Sequence, residues 1–313
     1  MKEIFCIGEL LIDFVAEKQG SDLSQANIFT KKPGGAPANV ACAISKLDGK
    51  SSFIGCVGND QFGNYLLGVL EENKVNLTLA QRSKVFTTLA FVSISEEGER
   101  DFVFSRGADK ELQYDSSIKK KFKDNMVHFG AATALLGGSL EDAYSHYLFD
   151  ALTQNSFISF DPNFREDLWK DDTETFIKKC MPFIEKSHLC KFSLEEALLL
   201  SGKIDIEEAC AFFHTTGVPL IVVTLGRKGT YVSSKNLKKT IPSIIVEPVD
   251  TTGAGDAFIG CMLRQISSLA EPESILEENT VLENMVEKSN MAGAITTTNF
   301  GAIPSLPTSS QIF

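Results

Sequence analysis

Short apolar runs and helix-spaced apolar stripes alternate along almost the whole of this chain. The runs at 4–8, 52–57, 126–129, 157–160, 188–192 and 220–225 have the length and apolar density of buried strands. Between them, Val40, Ala43, Ile44 and Leu47 share one helix face, and so do Phe62, Tyr65, Leu66, Val69 and Leu70. Further helices are predicted at 140–152, 173–184, 195–200, 206–214 and 285–297. Strands separated by helices are joined by crossovers rather than hairpins, which demands a parallel sheet. The expectation is an α/β fold with a mostly parallel central sheet and helices on both faces. At 313 residues and 43% apolar content the chain can bury one large core. No repeat, low-complexity tract or linker divides it.

The stretch 87–106 breaks the rhythm. Two strands, 89–95 and 99–104, are joined by Glu96-Glu97-Gly98 as a hairpin. Together with 10–32, which begins as a strand carrying Asp13, they can form a small antiparallel sheet outside the main one. This gives a single domain over 1–313 with a small β lid from segments 10–32 and 86–106.

Charge narrows the partners. A net charge of −11, with no dominant Lys/Arg block, speaks against a nucleic-acid or anionic-membrane surface. An anionic substrate must then be held by local cations, a metal or backbone N–H groups. The seven cysteines show no zinc-site or disulfide spacing, and Cys42, Cys56, Cys180 and Cys261 sit among apolar residues. They read as buried thiols in a reducing compartment. The N-terminus lacks the pattern of a signal peptide and no apolar run has membrane length, so a soluble, cytoplasmic protein is expected. His128, His146, His188 and His214 are far apart and suggest neither a metal site nor a triad.

The densest chemistry lies in Asp250-Thr251-Thr252-Gly253-Ala254-Gly255-Asp256. Ile244, Ile245, Val246 and Val249, interrupted by Pro242 and Pro248, read as an apolar strand that ends irregularly. Beyond Gly255, Ala257, Phe258, Cys261 and Met262 follow a helical period, so Gly-Ala-Gly lies where a loop becomes a helix. The first N–H groups of a helix have no partner within it and attract an anion. Two glycines keep side chains away from those groups. Asp256, in the first turn, reads either as a helix-start carboxylate or as a base for an attacking hydroxyl. Its position by the positive end of the dipole predicts a low pKa.

Other segments allow two readings each. Gly34-Gly35-Ala36-Pro37-Ala38-Asn39 is a turn into a helix, or a place where a ligand packs on backbone while Asn39 donates and accepts. Asp13 is a solvated strand residue or an acceptor for sugar hydroxyls. Arg106-Gly107-Ala108-Asp109 closes the hairpin, so Arg106 is surface or reaches from lid to site. Asp161-Pro162-Asn163-Phe164-Arg165 follows a strand, where open α/β sheets bind ligands. It is a polar turn, or else Arg165 clamps phosphate. Thr224-Leu225-Gly226-Arg227-Lys228-Gly229 is a β-turn or a backbone approach to a ligand. Ser193 and Glu196 have capping-box spacing, or act near metal or phosphate. Two familiar nucleotide motifs fail: Ile44 stands where a P-loop ending at Gly49-Lys50-Ser51 needs its first glycine, and no G-x-G-x-x-G follows a first strand.

In this order and spacing, these segments resemble the PfkB (ribokinase-like) carbohydrate kinases from Gly8 to about Pro304, and among them the fructokinases. The resemblance implies ATP-dependent phosphorylation of a sugar hydroxyl, with the Arg106–Asp109 segment tilting it towards D-fructose and fructose 6-phosphate. A 2-keto-3-deoxygluconate, nucleoside or phosphosugar kinase is the alternative, followed by a non-catalytic sugar-binding regulator. A phosphosugar would want cations near Asn39, where Lys31 and Lys32 stand. By resemblance, Asp256 is the base, and Gly253, Ala254 and Gly255 hold the phosphoryl group. Asp13, Gly34, Gly35 and Asn39 hold the sugar, with Arg106 and Ala108 closing over it. Asp161, Asn163 and Arg165 lie near the transferred phosphate. Thr224, Gly226 and Gly229 line the nucleotide, and Asn290 touches adenine. Asp250 and Thr252 give oxygens to a monovalent cation such as K+. Ser193 and Glu196 belong to a Mg2+ water network, although relatives often have Asn where Ser193 stands. The implied partners are ATP, Mg2+, a small sugar and a second copy paired through the lid.

Overall fold

The computed structural model describes residues 1–17, 20, 22–94, 100–169 and 172–313, so the turn expected at 96–98 lies outside the described residues. In chain order the strands are β1 (Glu3–Ile7), β2 (Leu11–Ala16), β3 (Phe29–Gly34), β4 (Lys50–Ile54), β5 (Cys56–Gly58), β6 (Gln81–Ser83) and β7 (Leu89–Ile94). Then come β8 (Arg100–Ser105), β9 (Met126–Gly130), β10 (Phe157–Asp161), β11 (Leu189–Ser193), β12 (Leu220–Thr224), β13 (Thr230–Ser233) and β14 (Lys238–Ile241). The helices are α1 (Ala36–Lys46), α2 (Gln61–Glu72), α3 (Ser139–Thr153), α4 (Glu166–Trp169), α5 (Thr173–Glu185), α6 (Leu194–Ser201), α7 (Ile206–Thr215), α8 (Ala254–Ile266) and α9 (Asn279–Thr296), followed by two short C-terminal turns.

The large sheet runs β14-β13-β12-β11-β10-β9-β1-β4. From β4 to β12 every pairing is parallel; β13 and β14 add an antiparallel edge. Side chains alternate across it as the pleat requires. On β1, Ile4 and Cys6 face a core shared with α1, α2, α8 and α9, whereas Phe5 and Ile7 face one shared with α3, α5, α6 and α7. Helices therefore cover both faces of a mostly parallel sheet, as the alternation predicted.

Three local expectations change. The run 52–57 is two strands, because the chain leaves the large sheet after Ile54 and Cys56–Gly58 pairs with β6 instead. The small sheet, ordered β3-β2-β7-β8, is mixed rather than antiparallel: β2 pairs with β3 antiparallel but with β7 parallel. The apolar stretch 244–249 is no strand. Ile245 is 97% exposed and the edge is formed upstream by β14, whose Lys-Lys-Thr-Ile sequence is polar. Proline cannot donate to a ladder, and Pro242 stops the strand.

Helix α8 is set by unusually close contacts. A Cβ on Gly260 would lie 2.6 Å from the Ala43 Cβ on α1, and one on Gly293 of α9 would lie 3.0 Å from the Ala254 carbonyl oxygen. Neither glycine has a left-handed backbone, so close helix approach is the reason for the missing side chain. Gly260→Val should overpack the α1–α8 crossing and cost about 1–3 kcal/mol. An unchanged midpoint in urea denaturation would contradict that account of the crossing.

Candidate active site

Strands β10, β11 and β12 end in Asp161, Ser193 and Thr224, so the carboxyl edge of the sheet presents polar groups side by side. Helix α8 starts beside them. Its N-cap, Gly253, has φ 81°, a left-handed conformation suited to glycine, and gives no side-chain cap. The Ala254 amide makes only a long 3.4 Å contact to the Thr251 carbonyl. Among the described residues, the amides of Gly255 and Asp256 have no acceptor; the first true helical bond is Ala257 to Gly253, at 2.8 Å. A helix end left this open has unspent N–H groups and the positive end of its dipole.

Asp256 sits at that end and is 9% exposed. Its Oδ2 accepts a hydrogen bond from Asn39 Nδ2 at 2.8 Å, which joins the first turns of α1 and α8. Its carboxyl is pushed up to about 6. Burial is the main cause; the Asn39 bond opposes it, Asp161 adds repulsion, and Lys191 and Arg165 pull the other way. The low pKa expected from the helix dipole is thus corrected, because desolvation outweighs it.

A second group of residues converges beside Asn39. Gly34 closes β3, Gly35 is the N-cap of α1, and the Asp13 side chain from β2 packs against Gly34. Glu9, buried after β1, accepts from the Ala36 amide at 3.1 Å, and burial raises its carboxyl to about 7. Arg106, after β8, binds Asp109 Oδ2 through Nε at 3.1 Å and the Leu136 carbonyl through Nη1 at 3.1 Å. Asp109 is itself held by Thr88 and Thr133, and the buried Ala108 donates its amide to the Phe86 carbonyl. Arg106 is therefore a fixed guanidinium rather than a surface side chain. Among the described residues, Glu9 Oε2, Asn39 Oδ1 and Arg106 Nη2 are all buried and find no hydrogen-bond partner. Such atoms are expensive to bury and mark where a polar ligand would satisfy them.

On the other side of Asp256, Asp161 Oδ2 is bound by Lys191 Nζ at 2.8 Å and its Oδ1 accepts from the Asn163 amide at 3.2 Å. Asn163 has φ 50°, and Arg165 donates to the Phe164 carbonyl at 2.9 Å. The Ser193–Glu196 capping box is fully formed: Glu196 N donates to Ser193 Oγ, and Glu196 Oε2 accepts from Ser193 N at 2.7 Å. Its Oε1 accepts from the Phe164 amide at 2.8 Å, so Glu196 also ties α6 to the loop after β10. Lys191 was not singled out by sequence, although a lysine inside the apolar run Leu189-Cys190-Lys191-Phe192 is a signal by itself.

The remaining candidates divide. Thr224 Oγ1 donates to the Phe192 carbonyl at 3.3 Å, and Gly226 and Gly229, at φ 57° and 100°, shape the turn into β13. A groove of about 490 Å³ opens along Thr224, Leu225, Lys228 and Tyr231, but Asp256, Asn39 and Arg106 do not line it. Asn290 is engaged within the protein. Its Oδ1 accepts from Thr230 Oγ1 at 2.6 Å, and its Nδ2 donates to the carbonyls of Ile241 and Pro242 at 3.0 and 3.2 Å. Buried with both donors used, it braces α9 against the sheet edge and has no N–H left for adenine. Asp250 accepts from Thr252 N at 2.9 Å, from Thr252 Oγ1 at 2.6 Å and from the Gly301 amide at 2.9 Å, which folds the loop before α8.

Comparison with known proteins places this geometry. The model of the pfkB family carbohydrate kinases matches residues 1–309. Fructokinase-2 of Solanum lycopersicum is 37% identical over 316 residues, covering 98% of this chain and 94% of that one. Among solved structures, fructokinase from Xylella fastidiosa with bound ATP superposes with a TM-score of 0.85 at 25% identity, covering 99% of this chain and 96% of that one. A double mutant of fructokinase from Vibrio cholerae, in a form bound to fructose, ADP and potassium ion, gives 0.84 at 29% identity, covering 100% and 97%. An open helix start, a buried aspartate beside it and a match over nearly the full length lead to one conclusion: the chain belongs to the pfkB family of carbohydrate kinases.

Proposed function

We propose that this carbohydrate kinase transfers the γ-phosphoryl group of ATP to a hydroxyl of D-fructose, giving fructose 6-phosphate and ADP. The observation that carries the reading is the open N-terminus of α8 with Asp256 held against it by Asn39. The fructokinase relatives, one of them bound to fructose and ADP, support the choice of sugar.

Each group then has a task. Asp13, Asn39, Arg106 and the backbone at Gly34-Gly35 and Ala108 orient the sugar, whose hydroxyls satisfy the partnerless atoms of Asn39 and Arg106. Asp256 accepts the hydroxyl proton as the sugar oxygen bonds to phosphorus. The bond between phosphorus and the β–γ bridging oxygen breaks, and its electron pair leaves with ADP. The amides at Gly253, Ala254 and Gly255 face the phosphoryl group in flight, whose loose transition state spreads charge over its oxygens. Asn163 and Arg165 stand on the phosphate side, and Thr224, Gly226 and Gly229 border the nucleotide. The small sheet serves as the lid that excludes water, the competing acceptor.

The acidic groups suit a hydrated metal rather than a protein cage. No cluster of three or more metal-ligating side chains occurs among the described residues. Mg2+ would enter with ATP, keep several waters and be held through phosphates, with Asp161 and Glu196 facing its waters, and it would neutralise phosphate charge. A monovalent cation such as K+ would be held by the oxygens of Asp250 and Thr252. Lys31 stacks on Tyr65 at 3.5 Å and Lys32 on Phe300 at 5.2 Å, so both cations are engaged with rings, which favours an unphosphorylated sugar. Two copies would pair through the small-sheet side of the molecule, where Ile28, Phe86 and Val103 are more than half exposed. Seven free, buried cysteines suit a cytoplasmic location.

Fructose-dependent ADP release from Mg-ATP tests the reading; release that does not depend on any sugar would overturn it. Asp256→Asn should lower kcat by ~10²–10⁴ with little change in either KM. Because the base must be ionised, kcat should fall as pH drops through about 6, and a flat rate down to pH well below that value would remove Asp256 from the role. Arg106→Ala should raise the fructose KM by about tenfold or more, through loss of a charged hydrogen bond, and leave the ATP KM nearly unchanged. Equal effects on both would take Arg106 off the sugar side.

A further inference from the structure

We infer that Lys191 is a catalytic donor to the phosphoryl group in transfer, acting with the open amides of α8; the inference rests on the reaction proposed above. Lys191 is 7% exposed and stands in the middle of β11, two residues before the strand ends at Ser193. An ammonium has three N–H bonds, and the one hydrogen bond made here among the described residues goes to Asp161. A buried cation with donors to spare is unusual unless a ligand uses them.

The charges around it explain why a cation is needed. Asp161 on β10, Glu196 on α6 and Asp256 on α8 all act on Lys191, and His128 on β9, which burial and Lys191 together keep neutral, lies near it. Burial works to lower the Lys191 pKa, but the three carboxylates together outweigh it and hold the group at about 12, fully charged. Without Lys191, a phosphoryl group reaching the α8 amides would meet three buried carboxylates. Arg165, whose Nη1 is turned to the Phe164 carbonyl, is a less buried substitute.

Gly255 leaves room for the ammonium. Its backbone is not left-handed, so its own conformation does not call for glycine. A Cβ there, however, would lie 3.0 Å from Lys191 Nζ and 3.4 Å from Cε. The glycine that opens the amide to an anion is thus also the one that admits the lysine beside it. As the sugar oxygen bonds to phosphorus and the bridging oxygen departs with ADP, two ammonium N–H groups are placed to donate to the equatorial oxygens between them.

Lys191→Met keeps the aliphatic stem and removes the charge. It should lower kcat by about 10²-fold, as expected for the loss of one such donor, while the fructose KM and inhibition by ADP alone stay within a few fold. Inhibition by ADP with fluoroaluminate and fructose, a mimic of the moving PO₃ group, should weaken by a factor similar to the kcat loss. Lys191→Arg should recover part of both. A merely structural lysine would weaken ADP and ADP–fluoroaluminate inhibition in parallel, and that result would overturn the inference, as would K191M turning over within a few fold of wild type. Should K191M fail to fold, the neutral pair Asp161→Asn with Lys191→Met is read in the same way, with Asp161→Asn alone as its reference. Absence of fructose phosphorylation by the wild-type chain would remove both proposals; an active wild type with an indifferent K191M would remove this one alone.

Discussion

A helix whose first amides are left without acceptors is a standing cost, and much of this structure serves to keep one in place. Side-chain capping would stabilise α8 by about 1 kcal/mol, yet Gly253 caps nothing and the Gly255 and Asp256 amides are open. What holds the helix is tertiary. Gly260 lets α1 approach from one side, Gly293 lets α9 approach from another, and Asn39 bonds the first turn across the crossing. The helix start is rigid because its neighbours pack closely, and it stays reactive because none of them uses its amides.

Burial sets the chemistry at that position. The macrodipole favours an ionised aspartate, but taking Asp256 out of water raises its carboxyl to about 6, within reach of a proton-accepting role near neutral pH. The same desolvation strengthens every charge interaction around it. Asp161, Glu196 and Lys191 form a buried charged group in which the single lysine faces several carboxylates, so an incoming polyphosphate meets a preset field rather than mobile solvent.

Much of this was legible in the chain. The parallel sheet followed from alternating apolar runs and helical stripes, and the meeting of Gly253–Asp256 with a helix start followed from Ala257, Phe258, Cys261 and Met262. What escaped had physical reasons. The 244–249 stretch has strand composition, but Pro242 before it and Pro248 within it withhold N–H groups, and β14 already supplies the edge with polar residues. The parallel β2–β7 pairing could not be read because register between distant segments is a tertiary matter. The bonds of Asn290 to Thr230, Ile241 and Pro242, which use both of its side-chain N–H groups, could not be read from the sequence because they join distant segments. Lys191 was passed over because flanking apolar residues made its strand look purely structural, and only the fold brings Asp161, Glu196 and Asp256 around it.

The central claim is that open amides at the start of α8 receive the phosphoryl group while Asp256 aims the acceptor hydroxyl. A crystal structure with fructose, ADP and aluminium fluoride tests it directly. The account predicts fluoroaluminate accepting hydrogen bonds from the amides at the start of α8, Gly255 among them, with a fructose hydroxyl between the anion and the Asp256 carboxylate. An anion bound elsewhere, with those amides turned onto protein acceptors and Asp256 facing bulk water, would contradict it.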